Sequence, residues 1–265
     1  LPAFLHNQFA SLVTSSFVVA GIGAFYVLNN NHSEYGKLFL RTGVIFGVVS
    51  SIIVAFPTGD WNAKNVVKYQ PATFAAMEGI FETEEAGAEI VLIGQPNMVE
   101  KKLDNKIAIP NILSFLTYQD WNAQIKGMNE FKEEELPTNI PALYYSYHIM
   151  VGLGTIFIGI MVLATFLLWR KKLYQSKLIL WGLLFLTPFP YIANTTGWYI
   201  AELGRQPWLV YGLLKTEDGI SPTVSSGNTL FSLLGFVGLY FLLGLLFLIL
   251  FGRAVYVGPN NLKKH

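Results

Sequence analysis

The sequence contains no cysteine, which excludes disulfides, thiolate metal sites, iron–sulfur clusters and covalent attachment of a c-type haem. Any metal must therefore be held by His, Met or carboxylate side chains. Charge is also scarce, because 13% of the residues are charged and 52% are hydrophobic. The formal net charge of +1 provides no basic field that would indicate a nucleic-acid partner. This composition is unlike that of a soluble protein and indicates a membrane protein.

Several familiar sequence features are missing as well. The chain opens with Leu1, Pro2 and Ala3, without an initiator Met or a basic segment followed by a cleavage site, so we expect it to be processed or cut from a longer protein. No internal repeat, phosphate-binding glycine loop or Ser-His-Asp arrangement is evident.

Five apolar runs are each long enough to cross a bilayer as a helix, which takes about 20 residues. They are residues 9–28, 38–57, 145–169, 178–192 and 230–251. The fourth run is interrupted by Pro188 and Pro190, which a membrane helix tolerates where neighbouring helices satisfy the freed carbonyl groups. We therefore expect an all-α integral membrane protein with five transmembrane helices.

The charges divide sharply between the two sides that five spans create. One side has nine basic residues and a single acidic residue, Glu34, whereas the other carries the remaining sixteen acidic residues. The basic side includes these residues: Lys37, Arg41, Arg170, Lys171, Lys172, Lys177, Arg253, Lys263 and Lys264. By the positive-inside rule this side is cytoplasmic, so residues 58–144 lie outside the cytoplasm.

The long loop has mixed polarity, and this composition predicts that it folds into a cap. Within it, Phe74, Met77 and Phe81 recur at helical spacing after Pro71, which predicts an amphipathic helix over 71–85 at the membrane surface. The expected organisation is two membrane helices in 1–57, the loop in 58–144 and three membrane helices in 145–265.

Three side chains that can bind iron fall at the extracytoplasmic end of this arrangement: His6, Met150 and Glu202. Taken singly, each has an ordinary structural explanation as a solvated His, a packing Met or a surface Glu. Together, an imidazole and a thioether suit a six-coordinate, low-spin haem, and a carboxylate suits a high-spin haem that keeps an open position. The topology allows all three to share one site.

Residues 197–208 resemble the GWxxxExGRQPW signature of the large subunit of cytochrome bd-type quinol oxidases at every specified position. On a helix, Trp198, Glu202 and Arg205 share a face, so that Arg205 can neutralise a haem propionate or the carboxylate. Gln206 precedes Pro207, which favours an extended exit from that helix. The resemblance places Trp198 between haems and makes Glu202 the ligand of a high-spin haem b or haem d.

The resemblance extends along the whole chain. It makes His6 and Met150 the axial ligands of a low-spin haem b, and it places Gln70 and Glu78 in a quinol-binding loop where Glu78 accepts a proton. On residues alone, a solvated helix residue would be the simpler interpretation of Glu78. Two positions depart from the family pattern, because Thr73 replaces a usual Lys and His148 a usual Arg.

The family resemblance implies a haem-binding subunit of a terminal oxidase in the cytoplasmic membrane of a bacterium or archaeon. Quinol is oxidised at the outer face, and electrons pass through the low-spin haem, by Trp198, to a high-spin haem that reduces oxygen. In the family, four further helices precede the stretch equivalent to Leu1. We therefore expect partner membrane chains, with the small residues Gly21, Gly23 and Ala24 allowing close approach of a helix.

Two alternatives stay open at this point. One is a haem-b quinol-oxidising electron-transfer subunit that does not reduce oxygen. The other is a haem-free transporter or channel subunit with an acidic outer vestibule. The haem content of the purified protein separates all three.

Overall fold

The computed structural model describes residues 1–259, so Lys263 and Lys264 of the charge pattern lie outside the described residues. The α-helices are α1 Pro2–Leu28, α2 Ser33–Ile53, α3 Asp60–Tyr69, α4 Pro71–Glu78, α5 Ile112–Tyr118, α6 Ile140–Trp169, α7 Lys177–Phe185, α8 Phe189–Arg205 and α9 Ser226–Val257. The strands are β1 Ile90–Asn97, β2 Lys102–Ile109, β3 Trp208–Val210 and β4 Leu214–Lys215. Short 3₁₀ turns occupy Met128–Glu130, Glu133–Glu135, Leu173–Gln175 and Thr216–Asp218.

Five helical segments in the described part of the chain are long and apolar enough to cross a membrane, as predicted. They are Pro2–Leu28, Ser33–Tyr69, Ile140–Trp169, Lys177–Arg205 and Ser226–Val257. Each extends beyond its apolar run, because polar residues at a helix end can remain helical outside the apolar layer. His6, expected before the first span, therefore lies within α1. The mostly helical class is confirmed, with two small antiparallel hairpins, β1–β2 and β3–β4, in addition.

The first two membrane helices pack closely through glycine. A Cβ atom on Gly23 would lie 2.5 Å from the backbone nitrogen of Leu40, and one on Gly43 would lie 2.6 Å from that of Ala20. Gly21 likewise leaves no room for a Cβ atom, because the side chain of Thr187, which follows α7, lies against it. These small residues therefore allow the expected close approach between helices of this chain, and contact with a partner chain stays a prediction.

The second span continues through Pro57 by widening into a π-helical segment, Val54–Gly59. Pro57 has no backbone N–H, and a π turn accommodates the interrupted hydrogen-bond ladder. The helical rod then runs on as α3 into the region between the second and third spans. We call residues 60–139 the cap.

The amphipathic helix expected over 71–85 is wrong in length and setting. Helix α4 ends at Glu78 because Gly79 adopts a left-handed conformation with φ of 75°. Ala72, Ala75 and Ala76 are buried together with Phe74 and Met77, so the helix is covered on all sides. A helix with that environment belongs to a core and not to a membrane surface.

The cap has its own hydrophobic core, in which α4 is central and Leu143 of α6 takes part. Residues from α8, including Ile200 and Leu203, pack against this core. The cap is thus seated directly on the ends of α6 and α8.

Pro188 and Pro190 divide the fourth span into α7 and α8, as their positions predicted. Helix α8 then continues to Arg205, so the signature segment is helical through Arg205. The fifth span differs from the others, because no residue of α9 is buried within the described structure.

Candidate functional site

The imidazole of His6 is oriented by the backbone of the π segment. Its Nδ1 lies 3.1 Å from the carbonyl oxygen of Val54. A carbonyl oxygen only accepts hydrogen bonds, so Nδ1 carries the proton and the lone pair is on Nε2. A backbone carbonyl hydrogen-bonded to one ring nitrogen is the usual arrangement for a histidine that binds metal through its other nitrogen. The π-helical segment therefore holds the His6 imidazole in one orientation, with the lone pair on Nε2.

Met150 lies against the first residue of the signature segment. A Cβ atom on Gly197 would lie 3.1 Å from the sulfur of Met150, which is tighter than an ordinary contact. The absence of a side chain at Gly197 therefore leaves the thioether room at the α6–α8 contact. A thioether is a soft ligand that favours ferrous haem iron.

Glu202 forms an ion pair with Arg205 on the next turn of α8. The distance between Arg205 Nη2 and Glu202 Oε2 is 2.5 Å, and both side chains are about two-fifths exposed. The predicted shared face is confirmed. Trp198 lies one turn earlier and is 61% exposed, so its indole faces outward from the described chain.

The end of the signature segment presents donors without acceptors. Among the described residues, Arg205 Nε and Trp208 Nε1 are buried and have no hydrogen-bond partner. Gln206 has the extended backbone expected before Pro207, and its side-chain oxygen accepts a hydrogen bond from Thr216 at 2.9 Å. Unpaired buried N–H groups cost free energy unless an acceptor binds there, and a carboxylate would satisfy them.

Glu78 is the buried acidic group of the structure's cap. Its residue is 2% exposed, and the side chain of Tyr147 on α6 packs against the same core. Loss of hydration raises the pKa of the Glu78 carboxyl to about 7, although the phenol of Tyr147 opposes that rise. A carboxyl with this pKa exchanges protons near neutral pH.

Helix α4 is tied directly to the signature helix. The Thr73 hydroxyl donates a hydrogen bond of 2.5 Å to the carbonyl oxygen of Gly204. That carbonyl lies in the last turn of α8, where no intrahelical N–H is available to it. Thr73 therefore anchors α4, which carries Glu78, to α8, which carries Glu202. The family pattern, with its usual Lys at this position, did not indicate this role.

His148, the other departure from the family pattern, is fixed in place by the cap. Its two ring nitrogens lie 2.9 Å from the Tyr144 carbonyl oxygen and 3.1 Å from the Val91 carbonyl oxygen. The ring also stacks on Tyr144, with 3.9 Å between ring centroids. His148 thus connects α6 to β1.

The structure brings some of the predicted site residues together and leaves others apart. Met150 meets the signature segment, Glu202 meets Arg205, and Glu78 reaches α6 and, through α4, α8. Gln70 caps the junction of α3 and α4. No group of three His, Asp or Glu side chains suited to a metal occurs in residues 1–259.

Sequence reasoning missed Tyr147 and Tyr144 as neighbours of Glu78. A signal was available, because Ile140, Leu143, Tyr144 and Tyr147 follow the spacing of one helix face. That face of α6 meets the cap. The unpaired nitrogen atoms of Arg205 and Trp208 had no such signal, since they depend on the packing of a turn.

These features define the class of protein. It is a multi-pass membrane protein in which the cap places a buried carboxyl group beside helices whose side chains are of types able to bind a metal. Residues 1–259 match the family of cytochrome bd terminal oxidase subunit I. The chain belongs to that family.

Comparisons with individual relatives agree with this family assignment. The chain is 32% identical to the cytochrome bd ubiquinol oxidase subunit 1 of Bacillus subtilis, over 99% of this chain and 58% of the relative. It is 24% identical to the cytochrome bd-II ubiquinol oxidase subunit 1 of Escherichia coli, over 98% of this chain and 63% of the relative. The solved bd oxidase of Geobacillus thermodenitrificans superposes with a TM-score of 0.84 at 29% identity, covering 96% of this chain and 57% of that one. The chain thus spans about three-fifths of the length of these relatives.

The residues fit the haem groups that the family implies. His6 has its Nδ1 hydrogen-bonded to a backbone carbonyl, which leaves the lone pair of Nε2 suited to binding iron. Met150 and Glu202 supply the thioether and the carboxylate. Arg205 and Trp208 supply buried donors suited to a haem propionate.

Proposed function

We propose that this chain is the quinol-oxidising, haem-binding part of a cytochrome bd-type terminal oxidase. The observation that carries the proposal is the position of Glu78. A buried carboxyl with a pKa of about 7 lies on a helix that packs against α6 and is hydrogen-bonded to α8, the helices of Met150 and Glu202. This arrangement supports a proposal in which proton acceptance and electron acceptance occur in neighbouring elements.

Quinol oxidation needs both functions, because a quinol releases two electrons and two protons when it becomes a quinone. In the proposal, Glu78 accepts a proton from the quinol and passes it to the aqueous face of the cap. An ionised Glu78 is a competent base only above its pKa, which is close to neutral pH. Gln70 lies one residue before α4 and borders the quinol-binding segment in the proposal.

The haem assignments follow the donors described above. His6 and Met150 hold a low-spin haem b, and Glu202 contacts a high-spin haem b or haem d. Arg205 and Gln206 neutralise or orient the carboxylates at that end of α8, and Trp198 lies beside the haems. When bound, haem iron provides a one-electron acceptor, and in the oxidase it is also the site of oxygen reduction.

The complete activity belongs to an assembly in this proposal. That assembly also contains the helices that the relatives possess beyond the region matched here, together with the second oxidase subunit. The charge asymmetry of the loops supports a cytoplasmic-membrane location with the cap on the outer side.

Haem content is the first test. The complex that contains this chain would be purified and examined as its pyridine haemochrome. The proposal predicts haem b, with a chlorin band if haem d is present. Haem b alone without oxygen consumption would identify an electron-transfer subunit, and absence of haem would support a transporter and refute the proposal.

The second test concerns Glu78. Glu78→Gln removes the proton acceptor while retaining shape, so quinol-driven haem reduction under anaerobic conditions should slow by about 100-fold or more. Haem spectra should be unchanged. Glu82→Gln is the matched control, because it neutralises an exposed carboxylate four residues further on. Equal rates in wild type and Glu78→Gln would remove Glu78 from the proposed mechanism.

A further inference from the structure

A hydrogen bond between two side chains joins α1 to α8 inside the membrane-spanning part of the chain. The amide nitrogen of Asn194 on α8 lies 2.9 Å from the hydroxyl oxygen of Thr14 on α1. The Thr14 hydroxyl donates its single hydrogen to the carbonyl oxygen of Ala10 at 3.0 Å, so toward Asn194 it can only accept. The amide nitrogen therefore faces Thr14, and the pair has one arrangement.

This pair lies at equal distances from two of the proposed iron ligands. Thr14 follows His6 by eight residues, and Asn194 precedes Glu202 by eight residues. Eight residues correspond to about 12 Å along a helix axis. The His6 end of α1 contacts the π-helical segment that leads into the cap, and the Glu202 end of α8 is hydrogen-bonded to α4 of the cap. The pair therefore lies about two turns inward of both ligands.

Helix α8 also contacts the helix that carries Met150. Gly197, one turn beyond Asn194, lies against the Met150 sulfur, because a Cβ atom there would be 3.1 Å from it. Helix α8 thus meets the helix of one proposed axial ligand through a hydrogen bond and that of the other through a glycine. Helices α1 and α6 also meet through Phe17 and Phe157, whose ring centroids are 4.9 Å apart.

The two kinds of contact differ in how strictly they fix the position of a helix. Apolar contact such as that between the two phenylalanine rings is non-directional, so a helix can shift along its axis at little cost. The Asn194 amide has a directional partner, and a shift would leave it without an acceptor in an apolar layer. The shift would also replace Gly197 at the Met150 sulfur by a residue that carries a side chain.

We propose that Asn194 is a positioning residue for the low-spin haem. Its hydrogen bond to Thr14 fixes the position of α8 along its axis and thereby keeps Gly197 opposite the Met150 thioether, which has room to reach the iron. This inference rests on the proposed haem assignments of His6 and Met150. Asn194 acts through the position of the helix and is not an iron ligand.

The first test uses Asn194→Leu in the purified, haem-loaded complex. Leucine has a similar volume but cannot donate a hydrogen bond, and loss of such a bond changes a helix equilibrium in a membrane protein by about threefold to twentyfold. The fraction of the low-spin haem b that binds carbon monoxide in the reduced state should therefore rise about threefold or more. Equal carbon monoxide binding by this haem in Asn194→Leu and wild type would overturn the proposal.

Thr195→Val is the matched control on the same helix. The Thr195 hydroxyl bonds to the carbonyl oxygen of Tyr191 within α8, at 2.8 Å, so its removal leaves the contact with α1 intact. Carbon monoxide binding should remain that of wild type. A rise equal to that in Asn194→Leu would show a general effect of lost polar groups in α8 and would contradict the specific role of Asn194.

The same bond can be tested from α1, which covers the case in which Asn194→Leu fails to assemble. Thr14→Val removes the acceptor with little change of shape and should increase carbon monoxide binding, whereas Thr14→Ser keeps the hydroxyl and should restore wild-type behaviour. Once Thr14→Val is present, Asn194→Leu should add no further increase. A lower haem content with unchanged carbon monoxide binding by the remaining low-spin haem would indicate a purely structural bond and would refute the proposal.

A distance measurement separates this inference from the proposed function, because it does not depend on haem. The chain has no cysteine, so spin labels can be attached at Leu12→Cys on α1 and Tyr191→Cys on α8, both exposed positions. Asn194→Leu should broaden or displace the distribution of distances between the labels, and a slide of one turn corresponds to about 5 Å. An unchanged distribution with haem bound would refute the role of Asn194 alone. A complex without haem would refute the proposed function and this inference with it.

Discussion

Two glutamates of this chain lie on helices that touch, yet their surroundings differ in almost every respect. Glu78 is buried and has no ion-pair partner among the described residues. Glu202 is about two-fifths exposed and is paired with Arg205. Burial without a counter-ion raises the pKa of the Glu78 carboxyl to about 7, whereas Glu202 has a guanidinium directly beside it. The roles proposed for the two carboxyl groups follow from these environments.

The comparison separates a proposed haem side, formed by His6, Met150 and Glu202, from a proposed proton side formed by Glu78. Variants of each side should change different observables. Their expected effects run from loss of a cofactor to a small change in stability.

The largest effect is expected for His6→Ala, which should abolish most binding of the low-spin haem. The imidazole is the stronger of the two proposed axial ligands, and Val54 orients it for that role. The haem content per protein in a pyridine haemochrome assay measures the loss. His32→Ala, directly before α2, is the control and should retain haem. A normal haem content in His6→Ala would exclude it as a ligand.

A smaller change is expected for Met150→Leu, because the imidazole ligand remains. The low-spin haem should become five-coordinate and accessible to external ligands, with the complex still assembled. Carbon monoxide binding to the reduced form would show this as a new difference spectrum. The low-spin spectrum of wild type, retained in Met150→Leu, would show that Met150 does not bind the iron.

On the proton side, stability should depend on pH through Glu78. Its pKa is raised from 4.5 to about 7, so the folded state holds a proton that the unfolded state releases between these values. Stability is therefore greatest below pH 4.5 and is lost as the pH rises through 7, by about 3 kcal/mol in total.

Thermal unfolding in detergent at pH 5 and pH 8 tests this dependence. Glu78→Gln cannot ionise and should lose less stability between the two pH values than wild type does. Glu82→Gln supplies the comparison for an exposed carboxylate. Parallel curves for wild type and Glu78→Gln would mean that the buried carboxyl does not titrate in this range.

The smallest effect is expected at the contact between the two sides. Thr73→Val retains shape but leaves the buried Gly204 carbonyl without its hydrogen bond, at a cost of about 1 kcal/mol. Thr73→Ser keeps the hydroxyl and should be closer to wild type. Thermal unfolding measures both variants, and equal stability of Thr73→Val and wild type would show that this hydrogen bond adds nothing.

The membrane helices could be predicted from the sequence because long apolar runs have few alternatives, and the signature segment located Glu202 and Arg205 on one helix face. The cap was less predictable. Helix α4 looked amphipathic from Phe74 and Met77, but its alanines are also covered by packing that the local sequence does not specify. The end of α4 was signalled by Gly79, since glycine commonly terminates helices.

The candidate site shows the same division. Single side chains such as His6, Met150 and Glu78 were identified from their place in the chain and from the family resemblance. The contacts that place them were not, because a pair such as Thr73–Gly204 joins residues far apart in sequence. Long-range pairs of this kind depend on how the cap is seated on α6 and α8.

The protonation of Glu78 is the most direct test of the account. Infrared titration of the purified complex, compared with Glu78→Gln, isolates the carboxyl band of protonated Glu78. The account predicts a band that disappears with a midpoint near pH 7 in wild type, is absent in Glu78→Gln and persists in Met150→Leu. A band already lost below pH 5 would show an ordinary, solvated carboxylate and would contradict the claim that burial makes Glu78 the proton acceptor.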